Sequence, residues 1–120
     1  MAKKRTERKA PEAVTIKKQI VITAQATEFI YAQPLVVISR FVALIKTLET
    51  DGRIVPPDGK KVDADLFEMR VKAEGNQYRA FYCYAIGNLI YVLNGFVKKT
   101  QKTPAQEIRK AHAIMKGLGL

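Results

Sequence analysis

Cross-linking and metal-binding side chains are scarce in this sequence. Cys83 is its only cysteine and His112 its only histidine, which excludes an internal disulfide and a Cys/His zinc cluster. Stability must therefore come from packing, and 120 residues of which 48% are apolar suffice for one core without staples. No apolar run approaches the roughly 20 residues that a membrane helix needs, and the basic N-terminus lacks the apolar centre of a signal peptide. The expectation is a soluble protein of a reducing cytoplasm, with no membrane partner.

Acidic residues are the other shortage: 11 Asp and Glu face 21 Lys and Arg, for a net charge of +10. The excess is confined to the ends. Residues 1–18 carry seven cations against Glu7 and Glu12, residues 96–120 carry six against Glu107, and the middle of the chain is neutral. Basic ends on a neutral body suit a polyanionic partner, nucleic acid first and an acidic protein second. Solubility alone is an equal explanation of the charge.

Residues 1–13 are charged, contain Pro11 and show no apolar period, the composition of a disordered or loosely attached basic tail. Residues 14–120 then form one domain. Gln19–Thr23 is β-branched and strand-like, Ala24–Tyr31 fits a turn or two of helix, and Pro34 restarts the chain in the first turn of the next helix. From Leu35 to Glu49, Ile38, Phe41, Val42, Ile45 and Leu48 recur at helical spacing and make an apolar stripe ended by Asp51-Gly52. Arg53–Asp65, with Pro56-Pro57-Asp58-Gly59, reads as a loop that delivers Lys60 and Lys61.

Leu66–Lys72 alternates as a strand, with Phe67, Met69 and Val71 on one side and Glu68, Arg70 and Lys72 on the other. A two-residue turn at Gly75-Asn76 sets Lys72 opposite Arg79 and gathers Arg70, Lys72 and Arg79 on one face. Tyr78, Ala80, Tyr82 and Tyr84 join the apolar side. A slip by one residue would bury Arg79 among apolar side chains, at a cost of several kcal/mol. A second two-residue turn at Gly87-Asn88 returns Leu89–Asn94. It sends Tyr91 and Leu93 to the core, and Ile90 and Val92 to the arginine face with Phe81 and Cys83. Thr103-Pro104-Ala105-Gln106 matches a capping box, Thr103 as N-cap. The final helix runs to Lys116 with Ile108, Ala111, His112 and Met115 as its buried stripe, where His112 is a packing residue. The fold class is α+β: an N-terminal strand and a three-stranded antiparallel meander, with helices on one face, a C-terminal helix, and a second face that is basic and partly open.

Glu28-Phe29-Ile30, Phe67-Glu68-Met69-Arg70-Val71, Tyr78-Arg79-Ala80-Phe81-Tyr82 and above all Gly95-Phe96-Val97-Lys98-Lys99-Thr100-Gln101-Lys102-Thr103-Pro104 resemble the phage-derived, HigB-like branch of the RelE/ParE toxin superfamily over residues 28–116. The resemblance implies a small RelE-like sheet and the toxin of a type II toxin–antitoxin pair, neutralised by an antitoxin that is often a helix-turn-helix protein. It implies a metal- and cofactor-independent endonuclease acting on mRNA in the ribosome. ParE-like members inhibit DNA gyrase instead, and a non-catalytic nucleic-acid-binding protein is a third class. Cleavage by the RNA's own 2′-hydroxyl needs charge stabilisation at phosphate and two proton transfers. Lys98 or Lys99 is a candidate source of charge or proton carrier. Carried over by motif, Arg79 is the phosphate-binding arginine, Arg70 a basic residue of the preceding strand, and Lys99 the basic residue after the last strand. Lys60, Lys61, Lys72 and Lys102 are RNA-binding candidates. Glu68 stands where RelE has a lysine, and the last helix has no tyrosine. On the residues alone, Arg70 fits an ion pair with Glu68 and Arg79 a solvated strand position.

Overall fold

A computed structural model describes residues 17–99 and 102–120; residues 1–16, with the N-terminal tail, and Thr100 and Gln101 lie outside the description. The element order is β1 (Gln19–Ile22), α1 (Ala24–Tyr31), α2 (Leu35–Asp51), β2 (Gly59–Lys61), β3 (Phe67–Ala73), β4 (Asn76–Tyr84), β5 (Leu89–Lys98) and α3 (Ala105–Gly117). The strands make one sheet ordered β1-β5-β4-β3-β2, antiparallel except where β1 runs parallel to β5. The α+β class with its strand, meander and final helix is as the sequence implied. β2 is an addition: it lies in the stretch read as a loop. Three residues with two exposed lysines carry no apolar alternation, so nothing in their composition announces a strand.

Each helix has a local cause. Thr23 caps α1 by accepting from the Ala26 amide at 3.1 Å, and its own hydroxyl donates to the Leu93 carbonyl, tying β1 to β5. Pro34 is the N-cap of α2 and lies just outside the first turn; Gly52, at φ 78°, closes the helix in the left-handed conformation that suits glycine. Val37, Phe41 and Leu48 of α2 are fully buried, whereas Val42 lies at the edge of the stripe, 42% exposed. Helices α1 and α2 cover one sheet face, packing on Met69, Val71, Tyr78, Ala80, Tyr82, Ile90 and Val92.

α3 covers part of the opposite face. Ala111 and Met115 pack on Leu66, Phe81, Cys83, Leu93 and Phe96, with Ile108 and Ile114 alongside. The helices are therefore split between the faces, and the apolar end of the arginine face is closed by the chain's own last helix. His112 turns out of this stripe: its ring is 43% exposed and pairs with Asp63 at 2.8 Å.

Both hairpins depart from the simplest register. In the first, Arg70 faces Arg79 and Ala73 faces Asn76, so the turn residues are Glu74 (φ 52°) and Gly75 (φ 80°). This slip of two positions moves Lys72 from opposite Arg79 to opposite Gln77, yet it keeps every side chain on its expected face because the pleat has period two. In the second, Ala85 donates to the Leu89 carbonyl, which encloses three residues, Ile86-Gly87-Asn88, and shifts the pairing by one. The faces of β5 are consequently exchanged: Ile90 and Val92 join the α1/α2 core, and Leu93 and Tyr91 join Phe81 and Cys83 under α3. A bulge then restores the other parity. Between the pairs Tyr82–Val92 and Ala80–Gly95, Leu93 and Asn94 oppose Phe81 alone, so Phe96 and Lys98 fall on the arginine face. Gly95 fits there because a Cβ would stand 2.2 Å from the Phe29 ring.

Candidate nucleic-acid interface

The basic end of the second face is built on a buried carboxylate. Glu68, fully buried, faces Phe81 on β4 and Lys60 on β2. Its Oε2 accepts a hydrogen bond from Arg70 Nε at 2.9 Å, and Arg79 Nε lies 3.3 Å from the same oxygen as an ion pair without hydrogen-bond alignment. Its Oε1 accepts from the Thr103 hydroxyl at 3.1 Å. Thr103 therefore serves the carboxylate, while Pro104 occupies the N-cap of α3 with no side-chain cap bond.

The two arginines face each other across β3 and β4, and like charges in such a pair repel. Glu68 offsets that repulsion from the strand position beside them. Arg79 is only 3% exposed; its Nη2 donates to Gln77 Oε1 at 2.7 Å and its Nη1 to the Tyr78 carbonyl at 3.3 Å. It is a packed ion-pair residue at the floor of the site and no longer a solvated one. Burial lowers its pKa below the usual arginine value, against the neighbouring carboxylate, which raises it; guanidinium keeps its proton at neutral pH all the same. Arg70 is different. Its side chain is 26% exposed, and only its Nε is committed to Glu68.

Above these groups opens a cleft of about 670 Å³, lined by Arg40, Lys60, Arg70, Lys72, Arg79 and Lys98 with Asp58, Gln77, Pro57 and the apolar side of α2. Arg40 closes one side by donating from Nη1 to the Lys72 carbonyl. Burial, and then the charge of Arg79, push the Lys98 ammonium below the ordinary lysine range; Arg70 and Lys60 act in the same direction and Glu68 opposes them. Of the residues expected at the site, Lys60, Arg70, Lys72, Arg79 and Lys98 meet here. Lys61 does not: it pairs with Phe67 on the other face, its ammonium 5.9 Å from that ring. Lys99 and Lys102 are exposed on the connection from β5 to α3 and do not line the cleft. Arg40 escaped the sequence reading, as it sits on the polar side of an ordinary amphipathic helix; Glu68 was read as an ion-pair partner of Arg70, which it is, and as a departure from the RelE pattern, but its burial and its contact with Arg79 were not legible.

Chemically, the cleft offers several cations, among them the accessible guanidinium groups of Arg40 and Arg70 and one amine of lowered basicity, the requirements of an anionic ligand such as a phosphodiester. Among the described residues, no helix is long and apolar enough to cross a membrane.

Comparison with known proteins places residues 28–116 on the model of a family described as phage-derived protein, Gp49-like. No curated protein matches the chain. Among solved structures, a double arginine-to-alanine mutant of the E. coli toxin RelE in the free state matches with a TM-score of 0.60 at 12% identity, over 81% of this chain and 96% of that one. At that identity the match speaks for the fold.

Proposed function

This chain belongs to the phage-derived Gp49-like family, a RelE/HigB-type toxin family, and from that premise we propose that it is an mRNA endonuclease acting on the ribosome, the toxin of a type II pair with a helix-turn-helix antitoxin, working in the cytoplasm. The observation that carries this reading is the cleft in which Lys60, Arg70 and Lys98 converge over the Arg79–Glu68 floor. Arg70 presents its two terminal nitrogens to the non-bridging oxygens of a phosphodiester, the bidentate geometry that a guanidinium favours. Lys98, its basicity lowered by burial and by Arg79, takes the proton of the 2′-hydroxyl. The 2′-oxygen attacks phosphorus, the bond to the 5′-oxygen breaks, and that oxygen takes a proton from water. The products are a 2′,3′-cyclic phosphate and a free 5′-hydroxyl. Arg79, at the floor, adds positive charge to the phosphate's surroundings, and Lys60 and Lys72 hold the flanking backbone.

Controlled expression in bacteria tests this. Growth arrest accompanied by transcripts cut inside translated regions is expected, and Arg70→Ala abolishes both. Losing one charge-stabilising donor of this kind lowers the rate by about 100- to 1,000-fold. Arrest with intact mRNA and a DNA-damage response would instead identify a gyrase inhibitor.

A further inference from the structure

Glu68 is the group that the proposed chemistry leaves unexplained: a fully buried carboxylate beneath a site meant for a polyanion. Left to itself a carboxylate there weakens phosphate binding by like-charge repulsion. Its bonds show what it does instead. It holds Arg70 by Nε, which turns the terminal fork of that guanidinium away from the carboxylate. It lies against Arg79 at 3.3 Å, and it accepts from Thr103, the residue through which the basic β5–α3 connection enters α3. Both of its oxygens are engaged and shielded from solvent, so it has no route to a substrate proton. We propose that Glu68 is the positioning residue of the cleft: it aims Arg70 at the phosphate, holds the two facing arginines together, and anchors the start of α3 beside them. This role rests on the nuclease reading of the same cleft.

Glu68 also has a signature that packing alone does not produce. Lys98 is surrounded by Arg79 on β4, Arg70 on β3 and Lys60 on β2, and Glu68 is the one neighbour that raises its basicity; Arg40 of α2 and Asp58 line the same cleft. Neutralising Glu68 therefore lowers the pKa of Lys98 further, whereas shortening it with its charge retained does not.

The test uses the full chain on ribosomes programmed with a defined mRNA, under single-turnover conditions across pH, for wild type, Glu68→Asp and Glu68→Gln. Glu68→Asp withdraws the carboxylate by one methylene. A misplacement on the order of 1 Å at a reacting group costs up to about 100-fold, so a 10- to 100-fold slower cleavage is expected, with little change in the ribosome concentration at half-saturation. Glu68→Gln moves the rising limb of the rate profile to lower pH. Cleavage by Glu68→Asp within twofold of wild type overturns the role, and so does a folded Glu68→Gln whose profile stays in place; if Glu68→Gln does not fold, Glu68→Asp decides alone. Wild type that leaves ribosomal mRNA intact overturns the nuclease reading. The positioning role is then decided by NMR of the arginine Nε–H groups with a 2′-deoxy-substituted oligoribonucleotide. A shift of Arg70 in wild type that is lost in Glu68→Asp supports it; equal shifts, or none in wild type, overturn it.

Discussion

Replacing Glu68 with alanine strands Arg79 as a charge with no counter-ion in the interior. Arg79 is 3% exposed and Glu68 fully buried, and the guanidinium's remaining bonds go to an amide oxygen and a carbonyl, neither of which carries a formal charge. Breaking a buried pair by removing one partner costs about 3–5 kcal/mol. Against the roughly 5–15 kcal/mol that holds a typical domain together, this is a large fraction. At about 4 °C per kcal/mol for a chain of this size, the melting temperature falls by roughly 12–20 °C. Urea denaturation followed by far-UV circular dichroism measures the loss directly. Arg79→Met in the same background removes the stranded charge and recovers much of the stability, giving a coupling of about 2–3 kcal/mol in the double-mutant cycle. A loss below about 1 kcal/mol, or additive single mutants, would refute the argument, since either result means that water reaches Arg79.

Glu74 occupies left-handed backbone at φ 52°, which asparagine tolerates better than glutamate; Glu74→Asn therefore raises the urea midpoint by an amount worth about 0.5–1 kcal/mol, and no gain would mean that the turn is unstrained. Cys83 is fully buried and burial pushes its thiol up to about 11, so a disulfide reagent at neutral pH labels it only as fast as the protein unfolds; immediate labelling of the native protein contradicts the packing under α3. His112→Ala leaves mRNA cleavage unchanged and costs less than about 1 kcal/mol, because the Asp63–His112 pair is 39% and 43% exposed on its two sides and screened by solvent. The hydrogen bond from His112 lowers the pKa of Asp63, so the contribution of Asp63 is present above the ordinary aspartate range near 3.9 and is lost as pH falls through its lowered folded value. A tenfold loss of cleavage in His112→Ala would count against the placement of the site.

What could be read from the chain follows the reach of the physics involved. The stripe of α2 and the side-chain alternation of β3 and β4 are local, and they placed Arg70 and Arg79 on one face even though the turn lies one residue earlier than expected and the pairing is shifted by two. The faces of β5 were not legible in that way. They depend on a three-residue connection at Ile86-Gly87-Asn88 and on a bulge at Leu93–Asn94, and either one reverses an alternation counted from the sequence. Thr103-Pro104-Ala105-Gln106 had the signature of a capping box, but the Thr103 hydroxyl found a buried carboxylate 35 residues away, a tertiary contact that no local pattern encodes. The same holds for the site. Its cations were visible as charges; which of them are exposed was not, because the burial of Arg79 against Glu68 is a tertiary contact, and it leaves Arg70 the more exposed of the two arginines.

The most direct test of the nuclease reading is single-turnover cleavage of ribosome-bound mRNA by the purified protein, with end-group analysis of the fragments. The reading predicts upstream fragments ending in a 2′,3′-cyclic phosphate, no cleavage when the scissile nucleotide lacks its 2′-hydroxyl, and about a 100-fold or greater loss with Arg70→Ala. Intact mRNA under these conditions, or cleavage indifferent to Arg70, would contradict it.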